Sequence, residues 1–182
     1  MEIEAKVKVE DLEKIKQELI NLGAKFGEPK TQEDRYFYPK ENVGKVQGPG
    51  SLVLRIRKSK NCFLTFKALT ERLGVWDEHE VIIDDPEIMK TILEKSGFVE
   101  VLHLVKSRIK GHLGEYELCL DDLKDTGKYF EVALEDMDKV EARKKLLELL
   151  NKLKFKEENI EHRGYGEILL AENGVKFNNN MK

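Results

Sequence analysis

Along several short stretches of this chain, charged and apolar residues alternate one by one, and the charges are sorted by sign. Glu2, Glu4 and Lys6 alternate with Ile3, Ala5 and Val7. Arg55 and Arg57 alternate with Leu54 and Ile56, Thr65 and Lys67 with Leu64 and Phe66, and Lys106 and Arg108 with Val105 and Ile109. Other runs are acidic: Glu78 and Glu80 oppose Val81 and Ile83, Glu115, Glu117 and Asp121 oppose Tyr116, Leu118 and Leu120, and Glu131 opposes Phe130 and Val132. Basic pairs suit phosphate oxygens, because arginine offers a planar fork of donors and lysine a point charge. Paired carboxylates suit Mg²⁺ or Mn²⁺, hard ions that take oxygen ligands and phosphate together. The ordinary alternative is a solvated face of an antiparallel sheet whose other face is covered by helices. That alternative does not require the charges to be sorted strand by strand. If the sheet curls into a barrel, the charged face becomes its lining. Such a lining is costly unless water, metal ions or a polyanion fill it.

The elements that must hold these groups are short. Residues 2–9, 32–38, 52–58, 62–68, 78–84, 103–110, 114–121 and 129–135 read as strands of period two. These about eight strands outnumber the helices, and their hairpin-like spacing predicts antiparallel pairing. Asp11 caps a predicted helix with Leu12, Ile15, Leu19 and Leu22 on one face, and Gly23 ends it. Asp85-Pro86 gives a second cap, with Ile88, Ile92 and Leu93 facing inward and Gly97 as the stop. Asp138 caps a third helix carrying Val140, Leu147, Leu150 and Leu153. Strand, acidic turn, amphipathic helix and closing phenylalanine thus recur three times, ending at Phe26, Phe98 and Phe155. The stretches 39–50 and 68–76 read as mobile loops.

The chain has 182 residues, 40% of them hydrophobic and 37% charged. That length predicts one domain, over residues 1–170, with a flexible tail over 171–182. The net charge of −3 argues against double-stranded nucleic acid or an anionic membrane as partner. No apolar run approaches the about 20 residues that span a bilayer, and Met1-Glu2-Ile3-Glu4 lacks the basic and apolar regions of a signal peptide. Cys62 and Cys119 are isolated, with no CxxC spacing and no four-ligand zinc set. The expected location is therefore a reducing compartment, the cytoplasm.

At this point the residues match a known pattern. The chain resembles the CYTH superfamily, the triphosphate tunnel metalloenzymes. The Glu-x-Glu-x-Lys strand near the N-terminus stands here as Glu2-Ile3-Glu4-Ala5-Lys6. In order follow Gln32-Glu33-Asp34-Arg35-Tyr36-Phe37, Leu54-Arg55-Ile56-Arg57, Leu64-Thr65-Phe66-Lys67 and Glu78-His79-Glu80. Lys106-Ser107-Arg108, Leu120-Asp121-Asp122, Gly127-Lys128-Tyr129-Phe130-Glu131 and Tyr165 complete the set, over residues 2–170. The resemblance implies an α+β fold: an eight-stranded antiparallel closed β-barrel, or tunnel, with helices packed on the outside. It also implies a triphosphate and Mg²⁺ or Mn²⁺ bound inside. Class IV adenylyl cyclases, thiamine triphosphatases, inorganic triphosphatases and some RNA triphosphatases share this pattern. The Leu22-Gly23-Ala24-Lys25-Phe26 turn is most similar to the class IV adenylyl cyclase branch. Two positions depart from it. Ala133 stands where relatives often have a second glutamate, and Val75, Trp76 and Asp77 stand where many have a basic residue.

Carried onto these positions, the resemblance assigns Glu2, Glu4 and Glu131 to metal, with Asp121 and Glu117 as further metal or supporting contacts. Lys6, Arg55, Arg57, Lys67, Lys106 and Arg108 are the expected triphosphate contacts, with Arg163 from the C-terminal segment. Glu78 and Glu80 are expected to offset the cationic wall or position water, with a structural ion-pair role as the alternative. Tyr165 and Tyr36 orient a phosphate or leaving group, or pack. The expected activity is conversion of ATP to cyclic AMP and pyrophosphate. The alternatives are hydrolysis of tripolyphosphate, thiamine triphosphate or a nucleoside triphosphate, and polyphosphate or nucleotide binding without turnover. A homodimer is the weakly favoured assembly. Crowding of like charges predicts that Arg57→Ala or Lys106→Ala weakens triphosphate binding while raising or sparing the stability of the ligand-free protein.

Overall fold

The computed structural model describes residues 3–48, 50–69, 76–124, 126–135, 138–161 and 163–175. Glu2, the loop at 70–75 and the asparagines at 178–180 therefore lie outside the described residues, as do the side chains of Leu69, Trp76 and Lys139. The fold is α+β, an antiparallel sheet with four helices. The chain divides into two compact units, one of Met1–Thr31 with Lys106–His162 and the other of Gln32–Val105 with Arg163–Lys182.

In the first unit, strands β1 (Ile3–Val9), β8 (Tyr116–Leu123), β9 (Gly127–Leu134), β10 (Ile160–Glu161) and the second half of β7 (Phe98–Leu113), from Lys106 on, lie in the order β10-β1-β9-β8-β7. The two-residue β2 (Lys25–Phe26) pairs with β7. Helices α1 (Leu12–Asn21) and α3 (Lys139–Lys152) cover one face. The apolar half of each alternation meets them there: Ala5, Val7, Leu118, Leu120, Phe130 and Val132 pack with Ile15, Leu19, Leu146 and Leu150 in one buried cluster. In the second unit, β3 (Lys30–Pro39), β4 (Leu52–Lys58), β5 (Cys62–Leu69) and β6 (Trp76–Ile83) pair in sequence order. Helix α2 (Pro86–Lys95) packs under β4, where Phe37, Ile56 and Leu93 form the core with Leu54, Leu64, Ile83, Met89 and Phe98 around them. In both units the period-two pattern therefore leaves the charged half on the face turned away from that core.

The caps are where the residue types require. Asp11, Asp85 and Asp138 each accept two backbone N–H bonds at the start of α1, α2 and α3, satisfying donors that the first turn leaves free. Gly23 and Gly97 take positive φ just past α1 and α2, and Lys154 takes it after α3. Some faces differ from expectation. On α2, Leu93 is buried but Ile88 and Ile92 are exposed, at 60% and 49%. On α3, Val140 is 79% exposed, and the buried stripe runs through Ala142, Leu146, Leu149, Leu150 and Leu153. Leu22 is also exposed, because α1 ends before it. In each case a helix with more apolar residues than its buried stripe can hold leaves one or two outside.

Four elements depart from the expected set. Strand β7 begins at Phe98 and not at His103. The pairs β2 and β10 are too short to carry a period. Helix α4 (Tyr165–Glu172) has Tyr165 through Leu170 all buried, so its sequence shows no polar side to mark a helix. Among the described residues no helix is long and apolar enough to cross a membrane.

Candidate functional site

Cross-strand partners in an antiparallel pair share a face, so register decides which charges meet. In the first unit Lys6 is paired with Glu131, Glu131 with Cys119, Arg108 with Asp121, and Glu4 with Ala133. All stand on the face away from α1 and α3. The Lys6 Nζ lies 3.6 Å from Glu4 Oε1 and 3.5 Å from Glu131 Oε2. Arg108 donates its Nε to Asp121 Oδ1 at 2.7 Å and a terminal N–H to Glu131 Oε1 at 3.1 Å. Asp121 is fully buried. Burial works against the charge on Arg108, but its hydrogen bonds to Asp121 and the charges of Glu131 and Asp121 outweigh it, so the guanidinium holds its proton above the ordinary arginine value. Burial pushes the nearby Cys119 thiol up to about 11, which keeps it neutral and unreactive. Lys106, two residues before Arg108 on β7, is also buried.

In the second unit the face away from α2 is laid out in three rows across the strands. The first is Val53–Lys67–Glu78, the second Tyr36–Arg55–Thr65–Glu80, and the third Asp34–Arg57–Phe63–Ile82. The Lys67 ammonium meets Glu78 Oε1 at 2.5 Å. Arg55 donates to Thr65 Oγ1 at 3.0 Å and Glu80 Oε2 at 3.2 Å, while Thr65 donates to the same carboxylate oxygen at 2.7 Å. Arg57 forks onto Asp34, with bonds of 2.7 and 2.6 Å. Three cations thus share one small face. Burial lowers the Lys67 pKa, Arg55 and Arg57 lower it further, and Glu78 offsets only part. Among the described residues the Nε–H of the buried Arg55 has no acceptor. An unanswered donor on a buried cation is costly, and a phosphate oxygen is the kind of acceptor that would complete it.

Tyr36 is fixed from two sides. Burial and the neighbouring Asp34 raise its hydroxyl to about 12, against the pull of Arg55 and Arg57 and of a hydrogen bond with Arg55. From the other side α4 lies on its ring. A Cβ on Gly166 would stand 2.9 Å from Tyr36 Cε1 and 3.0 Å from Cζ, closer than carbon atoms approach, so only glycine fits there. Beside it Glu167, a buried acid, accepts from the Gly164 N–H at 2.7 Å and caps the helix.

The expected site residues therefore fall into two groups. Glu4, Lys6, Arg108, Asp121 and Glu131 meet in the first unit, with Lys106 on the same face. Arg55, Arg57, Lys67, Glu78 and Glu80 meet in the second. Glu78 and Glu80 stand as ion-pair partners of Lys67 and Arg55. Tyr165 is buried as the first residue of α4, and Arg163 is exposed just before it. Glu117 is exposed and paired with Ala133, which in turn is paired with Glu4. Asp34, Gly166 and Glu167 were not singled out by the sequence. Asp34 had a legible signal, being the acid of an alternating run that must pair with a basic strand. Gly166 and Glu167 had none, because they depend on where α4 packs.

A divalent ion can be tested against the donor set. Glu4 and Glu131 sit on neighbouring strands, offer hard carboxylate oxygens, and are bridged by Lys6. Among the described residues no three histidine, cysteine or acidic side chains form a cage for a metal. Two carboxylates without a cage fit Mg²⁺ or Mn²⁺, which keep water and substrate phosphate among their ligands.

Residues 1–165 match the CYTH domain. The chain is 32% identical over 174 residues to a protein of Methanocaldococcus jannaschii named "Putative adenylate cyclase MJ0240", covering 92% of this chain and 98% of that protein. The structure of PH1012 from Pyrococcus horikoshii OT3 superposes with a TM-score of 0.76 at 27% identity, covering 92% of this chain and 98% of that one. HpAC1 of Hippeastrum, described as having a dominant triphosphatase activity, shares the fold with a TM-score of 0.66 at 19% identity, over 96% of this chain and 97% of its own. The chain belongs to the CYTH domain family.

Proposed function

We propose that the chain is a triphosphate-processing enzyme that converts ATP to cyclic AMP and pyrophosphate. The observation that carries the triphosphate half is the Arg55 guanidinium: buried, flanked by Arg57 and Lys67, and holding an N–H without an acceptor among the described residues. The finer assignment as a cyclase rests on the name of the relative that is 32% identical.

In this reading Lys67, Arg55 and Arg57 hold successive phosphates and spread their negative charge, which is most of what phosphoryl transfer asks of a protein. Glu78, Glu80 and Asp34 keep the cations fixed while no anion is bound, so little reorganisation is needed when one arrives. Glu4 and Glu131 are the groups that would hold Mg²⁺ or Mn²⁺, with Asp121 orienting Arg108 and Lys6 bridging the carboxylates. Held there, such an ion would supply a positive charge and open coordination positions to oxygen ligands. In the cyclase reaction the ribose 3′ oxygen bonds to the α-phosphorus, the bond from that phosphorus to the bridging oxygen breaks, and the hydroxyl proton is released with pyrophosphate.

Phosphorus-31 NMR of the protein with ATP and Mn²⁺, and separately with tripolyphosphate and Mg²⁺, tests the assignment. Pyrophosphate with cyclic AMP supports it. Orthophosphate from either substrate replaces it with a triphosphatase. Ligand-dependent shifts without product leave a binding module.

A further inference from the structure

The third row of the second unit differs from the other two. In the first and second rows the β6 position is an acid, Glu78 or Glu80, which answers the cation beside it. In the third row the cation is answered from the opposite side, by Asp34 on β3, and the β5 and β6 positions are Phe63 and Ile82. Phe63 is partly exposed, and Ile82 is 64% exposed, on the same face as the three cations. Neither belongs to the core packed beneath the sheet. An isoleucine left in water among charges gains nothing for the fold.

Resting on the triphosphate reading above, we propose that Phe63 and Ile82 form an apolar shelf that seats the ring system of an organic triphosphate ester, so that the substrate is such an ester and not bare tripolyphosphate. The rows are about 7 Å apart, two residues along a strand. A triphosphate is only about 6 Å between its end phosphorus atoms, less than one row interval, so it sits over the second row with the long Lys67 and Arg57 side chains leaning in from either side of Arg55, and its ester end points to the third row. The organic group attached to that end continues over Phe63 and Ile82. The same layout fixes the direction of the substrate, with the free phosphate end at Lys67 and the ester end at Arg57. A ring laid on an aromatic and an aliphatic side chain loses water from both of its contacts and needs no hydrogen bond for its affinity.

Calorimetric titration in EDTA, where turnover is suppressed, tests this with three ligands: ATP, methyl triphosphate and tripolyphosphate. The wild type is expected to bind ATP about tenfold more tightly than either of the others, the scale of one stacked ring. Phe63→Ala with Ile82→Ser is expected to remove that advantage and leave tripolyphosphate affinity within about twofold, which also shows that the double variant is folded. Equal affinities of the wild type for ATP and tripolyphosphate would overturn the shelf. So would a double variant that loses both ligands together or keeps its preference for ATP. If the wild type binds none of the three, the triphosphate reading itself fails and the shelf with it.

Discussion

Arg57→Ala removes a forked partner from a carboxylate whose side chain is 1% exposed. Before the fold is considered, like-charge crowding among Arg55, Arg57 and Lys67 suggests that losing one cation should spare the protein. The Asp34 contact reverses that expectation. Breaking a buried pair from one side costs about 3–5 kcal/mol, because the remaining charge stays buried without its partner. Arg57 itself is 20% exposed, which places this case at the lower end, about 3 kcal/mol. For a chain of this size that is a fall in Tm of roughly 6–12 °C, or about 1.5 M in urea midpoint. Replacing both members, Asp34→Leu with Arg57→Met, should recover most of the loss, because two apolar groups leave no stranded charge. Urea unfolding of the wild type, both single variants and the double variant, all without ligand, gives the coupling between the two residues directly. An Arg57→Ala midpoint equal to that of the wild type would mean that relief of like-charge crowding offsets the stranded Asp34 carboxylate and that the pair gives the fold no net support.

Three further outcomes follow from the same geometry. Burial, then Arg55 and Arg57, lower the Lys67 pKa, so Lys67 sheds its proton at a lower pH in the folded protein than in the unfolded chain. Stability gains from this group as pH rises between those two values, while triphosphate affinity should fall as pH rises through the folded one. Lys67→Arg, which stays protonated, should remove that fall in titrations run from neutral to alkaline pH. Gly166→Ala forces a methyl against the Tyr36 ring, and should destabilise by about 1–3 kcal/mol in thermal unfolding; an unchanged Tm would mean that α4 does not lie on Tyr36. Asp85→Ala removes the cap of α2, and should cost about 1 kcal/mol in urea unfolding.

The charged faces were legible because strand periodicity is strict. Once Lys6, Arg55, Arg57 and Glu131 alternate with apolar residues, each must stand opposite the core, whatever the pairing. Register was not legible, and it decides which charges meet. That Arg57 forks onto Asp34, or that Arg55 meets both Thr65 and Glu80, depends on strand offsets set by loops whose geometry no period encodes. Helix faces were legible only in part. The caps at Asp11, Asp85 and Asp138 follow from local chemistry, but Ile88 and Val140 showed that apolar spacing overstates what a neighbouring sheet can cover. Helix α4 left no pattern because it is apolar all round, and with it Gly166 and Glu167 were hidden. The apolar third row was hidden for another reason. Phe63 and Ile82 look like ordinary core alternation until the register puts them beside Arg57.

On the proposed function the sorted charges serve a triphosphate and not only one another. Arg55 tests it most directly, since its buried guanidinium carries the unanswered donor. Calorimetric titration of ATP into the wild type and into Arg55→Gln should show affinity falling about ten- to a hundredfold in the variant, the scale of one or two hydrogen bonds to a charged group. Equal affinity in the two proteins, or no binding by the wild type, would contradict it.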